Sequence, residues 1–172
     1  MTPASGGPVV LLIGPPGSGK TTVGELVAKA LEVPFVDTDQ VIEAEQGRRI
    51  AEIFVEDGEP HFRELEAEAV ARATTWDGVV AVGGGAPMTE STAALLESLP
   101  VVFLDVTIAD AAVRVGFSTA RPLLAVNPRA TWTRLMAERR PTYERLATWV
   151  VDTEGRVAED VAAEVVAKVN HE

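Results

Sequence analysis

Residues 8–31 carry the pattern that most constrains what this chain can fold into. Pro8-Val-Val-Leu-Leu-Ile13 is a short apolar run, the form taken by a strand buried on both faces. It stops at Gly14, and Thr21 to Leu31 then puts Val23, Leu26, Val27, Ala30 and Leu31 at helical spacing. Between the two stands Gly14-Pro15-Pro16-Gly17-Ser18-Gly19-Lys20-Thr21, a match to G-x-x-x-x-G-K-[ST] in the strand–loop–helix context that the pattern requires. Glycines let successive backbone N–H groups turn inward onto phosphate oxygens, and the helix N-terminus adds partial positive charge. Lys20 is expected to reach the β- and γ-phosphates, and the Thr21 hydroxyl to ligate Mg²⁺. Gly14, Pro15, Pro16, Gly17, Ser18, Gly19, Lys20, Thr21 and Thr22 are the expected nucleotide-binding residues. The pattern implies a nucleoside phosphate with magnesium and leaves the acceptor open.

The rest of the chain alternates in the same way. Strands are expected at Phe35-Val36, Val79 to Val82, Val101 to Leu104 and Trp149 to Val151. Helices are expected over Ile42 to Phe54 (interrupted at Gly47), Glu59 to Ala73, Thr89 to Leu99, Ile108 to Val115, Arg129 to Leu146 and Val157 to Val169. Alternation of this kind predicts an α/β sandwich, with helices on both faces of a mostly parallel sheet in three layers. Gly116 to Asn127 has little periodicity and reads as a lid. With 172 residues and no linker, one domain over 1–172 is expected. Its core would lie at 8–115 and 128–170, with acceptor-binding helices at about 38–75 and the lid at about 116–127.

Charge excludes several classes. Fifteen Lys and Arg against 26 Asp and Glu leave a net charge of −11, the wrong sign for a nucleic-acid or anionic-membrane surface. The chain has no cysteine and two well-separated histidines, His61 and His171, so thiol chemistry and a Cys-type zinc site are absent. No apolar run reaches the roughly 18 residues of a membrane span, and Met1 to Gly7 lacks signal-peptide form. A cytoplasmic monomer is the expectation. Lysine occurs only at 20, 29 and 168, so the Asn-Lys-x-Asp base-reading motif of a guanine-nucleotide switch is missing.

On the acceptor side, Asp37-Thr38-Asp39 closes the second strand, where ligands of open parallel sheets bind. Strand alternation would aim both carboxylates at one cleft, where one could hold a water of the magnesium shell and the other could accept a hydrogen bond from an acceptor hydroxyl and take its proton. The competing role is helix N-capping. Gly83-Gly84-Gly85 ends the third strand at the same edge and allows close approach to the backbone. Arg63 and Glu66, three apart on a helix, can pair. One of Arg139 and Arg140 can point into a cleft and grip a carboxylate bidentately. Arg121, in the lid, can close on the transferring phosphoryl group. Trp76, Trp132 and Trp149 read as packing residues.

Together these residues resemble the shikimate kinase family. The match is ordered and runs from Val9 to about Arg156: Gly14–Thr21, Asp37-Thr-Asp39, Asp57-Gly-Glu59 with Phe62-Arg63 and Glu66, Gly83-Gly-Gly85-Ala86, Arg121-Pro-Leu-Leu124 and Arg139-x-Pro141-x-Tyr143. The resemblance implies a P-loop kinase fold with a lid and a five-stranded parallel sheet in the order 2-3-1-4-5. It implies phosphorylation of shikimate by ATP with Mg²⁺. Carried over by position, Asp39, Arg63, Gly83, Gly84, Gly85 and Arg139 would form the shikimate site, with both arginines on the carboxylate and Asp39 on ring hydroxyls. Lys20, Asp39 and Arg121 would be catalytic, Thr21 and Asp37 would serve the metal, and Arg114 and Arg156 would lie near the adenine with Arg121 over the phosphates. Ser118 and Ala158 depart from the family pattern. A gluconate-type sugar-acid kinase and a non-catalytic nucleotide-binding module are the alternatives.

Overall fold

The computed structural model describes residues 6–115 and 127–171. The elements run β1 (Val10–Ile13), α1 (Lys20–Leu31), β2 (Phe35–Asp37), α2 (Thr38–Gln46), α3 (Ile50–Asp57) and α4 (Glu59–Ala73). They continue with β3 (Val79–Ala81), a 3₁₀ turn at Ala86–Met88, α5 (Glu90–Leu96), β4 (Val101–Asp105), α6 (Ile108–Val115), α7 (Pro128–Leu146), β5 (Trp149–Asp152) and α8 (Ala158–Asn170). The five strands form one parallel sheet in the order β2-β3-β1-β4-β5. Among the described residues no helix is long and apolar enough to cross a membrane.

Residue alternation sorts the sheet's two faces. Val10, Leu12, Val79, Val102, Leu104 and Val151 pack with Val23 and Val27 of α1 and Val161 and Val165 of α8. Leu11, Ile13, Val80, Val101 and Phe103 face the other way, onto Val70 of α4, Leu96 of α5, Ala111 of α6 and Trp132, Met136 and Tyr143 of α7. Both faces are covered, so β1 is buried at all four positions. That explains why β1 reads as an unbroken apolar run and not as an alternating one. A smaller cluster of Ile42, Ile53, Phe62 and Ala69 holds α2, α3 and α4 together beside the sheet, in the region expected to bind the acceptor.

β1 lies between β3 and β4, with the strands that follow it first added on the β3 side and then on the β4 side. Such a switch of direction opens a crevice beyond the carboxyl ends of the strands, where Gly14, Asp37 and Gly83 all lie.

Two local expectations change. The helix expected from Ile42 begins earlier, at Thr38, and Gly47 divides it by closing α2 with φ +63°. Asp37 ends the strand, and its carboxylate accepts hydrogen bonds from the Asp39 and Gln40 N–H groups at 2.9 and 3.3 Å. Asp39 therefore stands in the first turn of a helix, and strand alternation is not what brings it to the cleft. The exposed donors of a helix start outcompete continued strand pairing when an aspartate precedes them. The expected lid lies outside the described residues except for Asn127, and Arg121 lies outside them too.

Candidate active site

The phosphate loop follows β1 at its carboxyl end and feeds directly into α1. Gly17 has φ +87°, and a Cβ there would meet the Ala111 Cα at 2.9 Å, so both backbone conformation and the close passage of α6 demand glycine. The Lys20 ammonium donates to the Gly14 carbonyl at 2.8 Å and the Pro15 carbonyl at 3.2 Å, which straps the loop across its base. Gly14 and Pro15 serve as these acceptors and do not line the cleft, whereas Pro16 to Thr22 do. Ser18 is buried, and its hydroxyl has no hydrogen-bond partner among the described residues. The Thr21 hydroxyl donates to Asp37 Oδ2 at 2.5 Å. A hydroxyl and a carboxylate so placed at the start of α1 are the hard oxygen donors that a magnesium ion with part of its water shell takes.

Above the loop, Arg114 of α6 donates to the Gly17 carbonyl at 3.2 Å and to the Thr153 hydroxyl and carbonyl at 3.0 and 2.9 Å. Arg156 pairs with Glu164 at 2.7 Å and donates to the Asp152 carbonyl at 2.8 Å. Both arginines and Ala158 line the same cleft, at the end away from the acceptor helices. The Thr153 hydroxyl also donates to the Asp105 carbonyl at 2.7 Å, a link that ties the end of β5 to β4 and that no local pattern announces.

The acceptor end is built around the glycine run. A Cβ on Gly83 would stand 2.8 Å from Asp39 Oδ1 and 2.9 Å from Glu66 Oε2. One on Gly84 would stand 3.2 Å from an Arg139 guanidinium nitrogen, and one on Gly85 within 2.7 Å of two Arg63 nitrogens. The missing side chains thus make room for four charged groups, Asp39, Arg63, Glu66 and Arg139, against one stretch of backbone. The close approach expected of a ligand is shared with these side chains of the protein itself.

Arg63 donates to Glu66 at 2.9 Å and to Glu59 at 3.0 Å. The i,i+3 pair is interior and not a solvated one, because Glu66 is only 2% exposed. Burial pushes the Glu66 carboxyl above its usual value, against the opposing pull of Arg63 and Arg139. Burial also acts to lower Arg63, but the Glu66 and Glu59 carboxylates outweigh it and hold the guanidinium charged.

Of the two adjacent arginines, Arg139 is buried and lines the cleft. Arg140 turns away and grips Asp105 with two hydrogen bonds of 3.0 and 2.9 Å. The Tyr143 hydroxyl donates to the Gly84 carbonyl at 2.6 Å. Trp132, expected only to pack, also donates its indole N–H to the Pro16 carbonyl at 2.8 Å.

Nucleotide end and acceptor end form one continuous cleft of about 800 Å³. Helix α3 contributes Ile50 and Phe54 to its wall, an i,i+4 pair that the sequence reading left in the apolar pattern of a helix. Glu43 accepts from the Ile50 N–H at 3.0 Å and fixes the start of α3.

A phosphate loop at one end of a cleft and a pocket with two arginines and a carboxylate at the other define a small-molecule kinase of the phosphate-loop type. The family model for shikimate kinase matches residues 16–170, so the chain belongs to the shikimate kinase family. The shikimate kinase of Salinispora arenicola is 53% identical over 161 residues, 93% of this chain and 96% of that one. The solved shikimate kinase of Acinetobacter baumannii, in complex with shikimate, superposes with a TM-score of 0.90 at 31% identity, covering 97% of this chain and 94% of that one. A gluconokinase from Sinorhizobium meliloti has a TM-score of 0.61 at 21% identity, covering 97% and 93%. The last of these shows a shared fold alone.

Proposed function

We propose that the chain transfers the γ-phosphoryl group of ATP to a ring hydroxyl of shikimate, giving ADP and shikimate 3-phosphate, with all of the chemistry carried by one domain over residues 1–172. The observation that carries this reading is the convergence of Arg63, Arg139 and Asp39 on the glycine run, across a continuous cleft from the phosphate loop. Two guanidiniums suit a carboxylate and one carboxylate suits hydroxyls, which together match a polyhydroxy carboxylic acid.

The residues at the loop fit a magnesium ion. Thr21 would ligate it and Asp37 would hold a water of its shell, as their 2.5 Å contact and their oxygen chemistry favour. When bound, the ion offsets charge on the phosphate oxygens. The rest falls to the chain. Backbone N–H groups from Gly17 to Thr21 cradle the phosphates, and Lys20 leaves its carbonyl contacts for the phosphate oxygens. Arg121 would serve the transferring phosphoryl group, and Arg114 and Arg156 flank the base. Arg63 and Arg139 orient the acceptor so that its hydroxyl lies in line with the γ-phosphorus. Asp39 accepts the hydroxyl proton as the new O–P bond forms and the bond to the β,γ-bridging oxygen breaks.

Asp39→Asn separates orientation from proton acceptance. It is expected to lower kcat by about a hundredfold or more while ATP affinity stays within about twofold. A kcat within tenfold of the unmodified chain would remove Asp39 from the base role.

A further inference from the structure

The established parts of the site leave one feature unused, namely that two neighbouring loops of the cleft, the phosphate loop after β1 and the glycine run after β3, are held by the same face of a single helix. Trp132, Met136, Arg139 and Tyr143 are all buried on α7, at the spacing of one helical stripe. At the amino end of that stripe the Trp132 indole N–H donates to the Pro16 carbonyl of the phosphate loop at 2.8 Å. Eleven residues on, about 16 Å along the axis, the Tyr143 hydroxyl donates to the Gly84 carbonyl of the glycine run at 2.6 Å.

Each contact fixes the orientation of a peptide plane. In a trans peptide the carbonyl and the following N–H point in opposite directions. A Pro16 carbonyl held toward α7 therefore aims the Gly17 N–H away from it. Pro15 and Pro16 have no N–H to offer, so Gly17 supplies the earliest amide donor in the loop after Gly14. A Gly84 carbonyl held by Tyr143 aims the Gly85 N–H away from α7 in the same manner, beside Arg63. Arg139 sits between the two anchors and against the Tyr143 hydroxyl.

Resting on the proposed kinase reading, we infer that Trp132 and Tyr143 are positioning residues that set the backbone donors of the nucleotide loop and of the acceptor loop. Neither side chain touches a reacting atom. Filling space does not require an indole N–H or a phenol O–H, since phenylalanine fills nearly the volume of tyrosine and much of that of tryptophan. The polar atoms are what hold the two carbonyls.

The test uses Trp132→Phe and Tyr143→Phe, which keep a ring and remove one donor each. Affinity for Mg·ADP and for shikimate is measured separately by calorimetry, beside KM, kcat and Tm. Trp132→Phe is expected to weaken ADP by about fivefold, with KM for ATP following, and to leave shikimate unchanged. Tyr143→Phe is expected to weaken shikimate by about fivefold and to leave ADP unchanged. A fall in Tm with both affinities unchanged would reduce these residues to packing and overturn the inference, as would either variant weakening both ligands alike. The ADP arm does not depend on the acceptor. Loss of the kinase reading would show as an unmodified chain with no shikimate turnover, while the Trp132 result would still be decided by nucleotide affinity.

Discussion

Removing Arg63 should damage the fold and the acceptor site at once, and pH should separate the two. Glu66 is 2% exposed, and its 2.9 Å contact with Arg63 is the ion pair that compensates its charge. Breaking a buried pair by deleting one partner costs about 3–5 kcal/mol. The Arg63 side chain is itself 22% exposed, which admits some water and puts Arg63→Ala near the low end, about 3 kcal/mol at pH 8. For a chain of this length that is a fall in Tm of about 6–12 °C. The Glu66 carboxyl is already raised by burial, and losing Arg63 raises it further. A carboxyl raised in the folded state contributes stability at low pH that is lost as pH rises through its folded value. The deficit of Arg63→Ala should therefore be large at pH 8 and shrink toward pH 5. Arg63→Ala combined with Glu66→Gln should recover most of the Tm at pH 8, because no buried charge remains, while acceptor affinity stays low by about fiftyfold from the lost charge-assisted contact. Calorimetric melts at both pH values, with shikimate titrations of each variant, check this. A deficit independent of pH, or a double variant that regains acceptor affinity, would refute the account of this pair.

Gly85→Ala places a methyl within 2.7 Å of an Arg63 guanidinium that Glu66 and Glu59 hold in place. KM for shikimate should rise about tenfold with KM for ATP unchanged, as steady-state kinetics would show. Tyr143 is the only tyrosine, so tyrosinate absorbance reports it alone. Burial pushes its hydroxyl up to about 12 from 10, so the stability it contributes is complete below pH 10 and is lost between 10 and 12, about 2–3 kcal/mol in all. The folded chain should titrate near 12 and the urea-unfolded chain near 10, and coincident titrations would contradict the buried donor.

What could be read from the sequence was whatever repeats locally. The phosphate loop is contiguous, and its flanking strand and helix announce themselves through apolar spacing, so Gly14 to Thr21 could be placed before any tertiary contact was known. Asp37 and Asp39 both line the crevice, but strand alternation does not bring Asp39 there. Capping of α2 by Asp37, which depends on where the strand yields to a helix, determines their geometry. Arg139 could not be told from Arg140 by composition, although Arg139 shares a stripe with Trp132 and Tyr143 that a 3.6-residue period would pick out. The interior character of Glu66 was beyond reach, because it depends on the glycine run some twenty residues later closing over α4. The carbonyl grip of Trp132 on Pro16, 116 residues away, is likewise a product of the folded packing and leaves no local trace.

The central claim is that the two-arginine pocket makes shikimate the acceptor. Coupled measurement of ADP release from Mg·ATP, with shikimate, with gluconate and with no acceptor, tests it most directly. Turnover with shikimate, and only background release with gluconate or with water alone, is the predicted result. ADP release driven by gluconate instead, or a rate that neither acid raises above the acceptor-free background, would contradict it.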